Sequence, residues 1–159
     1  MIRNICIKEE KSGLVAKFRL LSGEAPVNSE FLWQIAGANT VVEGLHAMWT
    51  GPEISCPLVG SRIPRDIKLV DLPLENATMF PDQGDLALAF APDGRWKAVS
   101  GGPVYDIGLF YGKGGRLLMP FGWIAASICA QVLPEYSDHL KQCCESIRRH
   151  GVCNVVISR

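Results

Sequence analysis

Three residues within the stretch LHAMWTGPEI (45–54) have side chains suited to chemistry: His46, Trp49 and Glu53. A histidine there can serve as acid/base or as hydrogen-bond donor to a ligand. The alternative is a satisfied histidine between strand and helix. Trp49 suits a core or groove wall, and its indole N–H can orient a carboxylate or carbonyl. Glu53 follows a Gly-Pro turn and can act as general base or as charge partner of His46. On the residues alone the slightly favoured reading is a solvated carboxylate at a hairpin end. His46 and Trp49 are three apart, so on a regular strand they point oppositely, with His46 beside Met48 and Ala47 beside Trp49. A bulge near Met48 or the turn at Gly51 changes that.

Other polar residues lie further along. YGKGGRLLMPFG (111–122) carries Lys113 and Arg116 among glycines. It lacks the P-loop spacing and opens no helix, so a tight hairpin turn is expected, not a phosphate cradle. Arg116 can clamp a carboxylate at two points from a strand edge. Phe121 suits a groove wall or the core. Asn76 and Thr78 can bond their own backbone and hold a turn, with ligand contact by Asn76 as the second reading. No GxSxG is present, and His139 and His150 lie on or beside a helix, so a Ser/His/Asp triad has no support.

The elements that must position these residues are mostly strands. NICIKE (4–9) and LVAKFRLL (14–21) alternate apolar with polar and read as a hairpin with Gly13 in or beside its turn. A helix follows Pro26, capped by Asn28 or Ser29, with Phe31, Leu32, Ile35 and Ala36 on its apolar face and Gly37 at its end. NTVVEGLHAMWT and EISCPLV read as paired strands. Residues 60–84 form a long irregular loop, the kind that often serves function and can close over a site. DLALAFAPDG, VYDIGLFYG and RLLMPFG read as later strands, the last two joined by GKGG. SDHLKQCCESIRRHG is the clearest helix: Ser137 caps it, Leu140, Cys143, Cys144 and Ile147 form its stripe, and Gly151 ends it. CNVVISR closes as a strand. Many short strands with two helices predict a mainly β fold, a closed barrel or strongly curved sheet with helices over its ends.

Bulk properties narrow the function classes. The chain has 159 residues, which fits one domain over 1–159. Lys+Arg and Asp+Glu are both 16, for a net charge of zero. That leaves no electrostatic footprint for nucleic acid or an anionic membrane. No signal peptide or membrane-length apolar run is visible, so a cytoplasmic protein is expected. Six cysteines show no CxxC pairing, and the three histidines do not space with them as metal ligands, so reduced thiols and no metal site are expected. The apolar strand CNVVISR can pair between chains to give a homo-oligomer if its edge is uncovered.

LVAKFRLLSGEAPVNSEFLWQIAG has the layout of the opening of a cyclophilin, and GLHAMW sits where cyclophilins carry a Phe-His-Arg strand. GDLALAF, DIGLFYG and RLLMPFG fall in the order of the later barrel strands. EAPVNSEFLWQ (24–34), GLHAMWTGPEISCPL (44–58), PLENATMFPDQGDLALAF (73–90) and FYGKGGRLLMPFG (110–122) resemble more closely a bacterial family of small cyclophilin-like proteins of unknown function. The resemblance implies a cyclophilin-like closed β-barrel with two capping helices.

One departure bears on activity. Prolyl isomerases have an arginine after the strand histidine, and here the residue is Ala47. An alanine can neither donate a hydrogen bond nor stabilise developing charge, so prolyl isomerisation is not expected. The expected function is binding of a small polar metabolite in a barrel-side groove, without an organic cofactor. His46 and Glu53 are the expected acid/base groups, and Trp49, Arg116, Phe121 and Asn76 the expected ligand contacts. Similarity to the opine synthases that make cucumopine and mikimopine implies an alternative, Pictet–Spengler condensation of histidine with a 2-oxo acid. A further alternative is a relative that binds Pro-containing peptides.

Overall fold

In the computed structural model, which describes residues 2–97 and 99–159, eleven strands and two helices follow one another along the chain. They are β1 (Asn4–Glu9), β2 (Leu14–Leu20), α1 (Pro26–Gly37), β3 (Thr40–His46), β4 (Glu53–Val59), β5 (Ala77–Thr78), β6 (Asp85–Ala91), β7 (Val104–Phe110), β8 (Leu118–Met119), β9 (Gly122–Trp123), β10 (Ala126–Val132), α2 (Ser137–His150) and β11 (Cys153–Ser158). Eight strands run antiparallel in the order β2-β1-β11-β3-β4-β7-β6-β10, and β10 returns to pair with β2. The sheet is therefore a closed barrel, which removes free edges. β5 adds a short extra pairing to β10 at Ala126 and Ser127. The terminal strand β11 is covered on both sides, by β1 and β3, and offers no edge to a second chain.

The two sides of the barrel differ in what covers them. β2 alternates strictly, with Leu14, Ala16, Phe18 and Leu20 buried and the residues between them exposed. Its outward face meets solvent, as an amphipathic strand requires. β6, β7 and β10 are buried on both faces over most of their length. Their inner residues join the main core, where the Phe31 and Tyr105 rings stack 4.4 Å apart. Their outer residues Ala87, Ala89, Phe110, Ala126 and Ile128 form a second cluster with Leu117, against which Trp96 and Ile124 pack. The chain at 117–124 thus covers the outside of one barrel wall.

Local details depart from the sequence expectations in three places. α1 opens on Pro26, which needs no N–H partner there, and Asn28 and Ser29 lie buried inside the helix. The free N–H groups of Val27 and Asn28 instead donate to the Glu75 carboxylate, at 3.2 and 3.0 Å, from the long loop. Ser137 begins α2 without a side-chain cap bond, while Gly151 ends it with φ of 86°. RLLMPFG does not form one strand. Pro120 and Gly122, the latter with φ of 121°, fold β8 back on β9 as a small hairpin, and the full strand is β10.

The loop over 60–84 is tied to the barrel and does not hang free. Ile63, Ile67 and Leu72 enter the core, Tyr105 Oη donates to the Val70 carbonyl at 2.8 Å, and Asn28 Nδ2 donates to the Pro73 carbonyl at 3.0 Å. All six cysteines are free and buried. Burial pushes the thiols of Cys56, Cys129 and Cys144 well up, which makes them poor nucleophiles. No helix among the described residues is long and apolar enough to cross a membrane.

Candidate functional site

A cleft opens on the doubly buried barrel wall. Strand register determines which residues form its floor. Ser55 of β4 lies opposite Gly108 of β7, and Pro57 lies opposite Asp106. On the other flank of β7, Ala87 and Ala89 of β6 lie opposite Gly108 and Asp106. Small residues therefore surround Asp106 and leave a hollow. Leu45, Met48, Trp49, Leu117, Met119 and Ile124 stand around it as walls, and the cavity volume is about 130 Å³. An apolar hollow of that order holds a single small ring, so the rest of a ligand lies in the open mouth.

Two carboxyls lie on this floor. Glu53 is only 4% exposed, so it is not the solvated hairpin-end carboxylate favoured from sequence. The Thr50 hydroxyl donates to its Oε2, and its Oε1 lies over Gly108, in the place a side chain there would occupy. Asp106 accepts from the Ser55 hydroxyl at both oxygens, 2.9 and 3.1 Å.

Burial, and then the charge on Asp106, raise the Glu53 carboxyl to about 8 against the Thr50 hydrogen bond. Burial raises Asp106 to about 6, opposed by hydrogen bonds from Ser55 and the Cys56 backbone. Between those values the pair holds one proton and one negative charge. Two carboxyls whose environments separate them in this way can act as acid and base at one site. Among the described residues lining the cleft there is no Lys, Arg or His.

The structure brings together only part of the set named from sequence. Glu53 is on the floor and Trp49 on the wall, about half exposed. His46 turns away from the cleft. Its Nδ1 lies 2.9 Å from its neighbour's carbonyl at Ala47, and its Nε2 lies 2.7 Å from Tyr111 Oη. A carbonyl only accepts, so Nδ1 carries the proton and the tyrosine hydroxyl donates to Nε2. Burial holds this imidazole below its ordinary value, and Arg148 adds to that, while the Ala47 carbonyl opposes it. His46 and Glu53 therefore occupy separate environments. β3 ends at His46, so strand parity does not extend over 47–49, and Ala47, Met48 and Trp49 all line the cleft.

Arg116 is exposed. Its backbone N–H donates to the Thr50 carbonyl at 3.0 Å, and it does not line the cleft. Phe121 lines a neighbouring cleft. Asn76, at φ of 46°, donates from Nδ2 to the Ile128 carbonyl and holds the turn before β5. The long loop contributes no residue to the lining, so the cover comes from 47–50 and 117–124.

Asp106, Thr50 and Ser55 were not singled out from sequence. One signal was present: an aspartate in the middle of the apolar run VYDIGLF, where acids are depleted.

The family profile described as "Protein of unknown function (DUF3830)" matches residues 7–159. The chain belongs to the DUF3830 family. No protein of curated function matches it in sequence. Three solved structures resemble this DUF3830 chain. McbB in complex with tryptophan superposes with a TM-score of 0.68 at 15% identity, covering 98% of this chain and 44% of that one. The chain thus spans less than half the length of McbB. The hypothetical protein AF2241 from Archaeoglobus fulgidus gives a TM-score of 0.51 at 13% identity, covering 99% and 95%. The Mimivirus cyclophilin gives 0.52 at 14%, covering 99% and 86%. The DUF3830 chain has the cyclophilin-like closed barrel expected from its sequence blocks.

Proposed function

We propose that the chain binds a small metabolite made of a basic amine on an apolar body, with the amine against Glu53 and Asp106. This narrows the small polar metabolite expected from sequence. One observation carries the reading: two carboxyls form the floor of an apolar-walled cleft whose described lining has no cation. A buried carboxylate without a counter-charge is costly even when hydrogen-bonded, and a ligand ammonium supplies that charge. The single negative charge held by the pair near neutral pH matches one ammonium. Trp49 adds a ring face for the ligand body or its cation. Ala47, which lines the cleft, leaves no guanidinium for twisting a prolyl peptide. McbB, far diverged, was solved with tryptophan, a molecule of the same amine-on-aromatic kind, and lends support.

Titration calorimetry with tryptamine and its alcohol analogue tryptophol tests this. A charge-assisted hydrogen bond contributes about 1.5–3 kcal/mol, so tryptamine binds about tenfold tighter or more. That advantage disappears in the Glu53→Gln/Asp106→Asn double variant. Equal affinities for the two probes sink the proposal.

A second reading makes the chain an enzyme, and the offset between the two carboxyls favours it. Asp106 takes a proton from the bound ammonium, and protonated Glu53 gives one to the oxygen of a carbonyl compound as the amine nitrogen attacks its carbon. Loss of water then gives the imine from which a Pictet–Spengler ring closure proceeds. Mass spectrometry of the protein with histidine and 2-oxoglutarate, or with tryptamine and 2-oxoglutarate, looks for the condensation product. Glu53→Gln abolishes turnover and keeps amine affinity in this reading. A binder shows no product at all.

A further inference from the structure

Beside the acid-floored cleft lies a second one, which shares Ala89 and Ile124 with it. Its lining has the opposite charge. Arg95 and Lys97 stand on one side, and Trp96, Phe121 and Trp123 supply aromatic surface. Phe121 is 64% exposed and Trp123 49% exposed, so these rings are open to a ligand. The Trp123 ring is itself propped by Phe80, centroid to centroid 5.3 Å. No Asp or Glu is among the described lining residues of this second cleft.

The separation of charge sets this pair apart from three other clefts among the described residues. The hollow beside the β1–β2 turn mixes Lys8, Glu9, Glu10 and Lys11. The hollow along α1 has both Glu30 and Lys68, and the one near its C-terminus has Asp66, Lys68 and Arg159. Among these five clefts of the described residues, it is the two on the doubly covered wall that place two carboxyls without a cation beside two cations without a carboxyl.

We infer that the cleft bounded by Arg95, Lys97, Trp96 and Phe121 binds a planar carboxylate, the anionic end or companion of the amine held next door. The inference rests on reading the first cleft as a ligand site. A planar carboxylate on an aromatic body suits this surface in two ways. Its rings stack on exposed indole and phenyl faces, and its oxygens meet a guanidinium fork and an ammonium. The first cleft cannot hold that carboxylate, because its own floor is negative. Phe121 thereby lines this anion cleft and not the acid floor, and the carboxylate-binding cation is Arg95 with Lys97 in place of Arg116.

Three indole probes separate the two sites: tryptamine, indole-3-acetate and its neutral amide, indole-3-acetamide. Each is titrated calorimetrically against the unaltered chain and the Arg95→Ala/Lys97→Ala variant. Both side chains are exposed and unneeded by the core, so the variant folds. Indole-3-acetate is expected to bind about tenfold tighter than the amide, the difference one charged contact makes. The double variant removes that preference and leaves tryptamine affinity unchanged. The inference is overturned by equal binding of acid and amide, by no binding of the acid, or by an acid affinity indifferent to the variant. Failure of tryptamine alone, with the acid behaving as expected, removes the amine reading and leaves the anion cleft standing.

Discussion

The Glu53 carboxyl lies over Gly108, in the space a β-carbon on residue 108 would fill. Two adjacent strands thus share one hollow: β4 supplies the acid and β7 leaves out the side chain. Gly108 is mid-strand and has no positive φ, so its value here is room and not backbone freedom. Gly108→Ala should therefore cost about 1–3 kcal/mol of stability by overpacking. In a Glu53→Ala background the same change should cost much less. A double-mutant cycle in urea measures the coupling, and additive costs would show that the two residues do not share space.

The raised carboxyls set a direction for stability against pH. Glu53 moves from 4.5 to about 8 on folding, and Asp106 from 3.8 to about 6. Above its ordinary value each acid loses its proton in the unfolded chain and keeps it in the folded one. The contribution of this pair is therefore full below about pH 4, falls as pH rises, and levels off above about pH 8. Glu53→Gln, which stays neutral, should flatten the upper part of that fall and melt higher than the unaltered chain at about pH 8.5. Melting curves across this range check it, and parallel curves for the two proteins would be the contrary result.

Amine binding should release a proton. An ammonium between the carboxyls favours their charged forms and lowers the value at which Glu53 ionises. At about pH 7 the measured enthalpy of tryptamine binding should then vary with the ionisation enthalpy of the buffer. The slope should correspond to part of a proton released, because the pair already meets the ammonium with one charge, and it should vanish in Glu53→Gln. An enthalpy independent of buffer would place the ammonium away from Glu53.

His46 should matter for stability more than for ligand. Tyr111→Phe removes the hydroxyl that donates to His46 Nε2, at a cost of about 1–2 kcal/mol. Tryptamine affinity should not change. Burial keeps the folded imidazole below its ordinary 6.5, so its contribution is present above that value and lost as pH falls through the folded one. A large loss of amine affinity in this variant would place the histidine in the ligand's surroundings after all.

Glu75 should act as a remote helix cap. Burial raises its carboxyl, but hydrogen bonds from Asn28 and Val27 outweigh that and hold it below 4.5. Glu75→Ala leaves the first N–H groups of α1 without an acceptor and should cost about 1–2 kcal/mol. The cost should disappear in acid, where the carboxyl is protonated. Chemical denaturation at two pH values measures both.

Much of the fold is legible along the chain. The β1–β2 hairpin, the stripe of α2 and the start of β4 after Gly51-Pro52 follow from alternation, helical spacing and turn chemistry. Barrel closure is a long-range property: nothing local in LVAKFRLL indicates that β2 meets β10. The α1 cap is hidden for the same reason, because Glu75 lies far along the chain from the helix it caps and the local candidates Asn28 and Ser29 are used inside. The site was half legible. Glu53 stood out as a carboxylate after a turn, but its burial depends on Gly108 across the register. Asp106 looks like a strand anomaly until Ser55, Ala87 and Ala89 are placed around it. Arg116 lies within a suggestive motif, yet its side chain faces solvent, while Arg95 and Lys97, which line the cleft beside the acid floor, sit in a segment without a motif.

The placement of β11 has a consequence for synthesis. This strand is the last of the barrel to leave the ribosome, and it slots between β1 and β3, two of the earliest. Until it arrives, β1 and β3 each present an unpaired edge, and unpaired edges recruit other chains. The nascent barrel must therefore stay open between β1 and β3 until β11 is made, and the arrival of that one strand covers both edges at once.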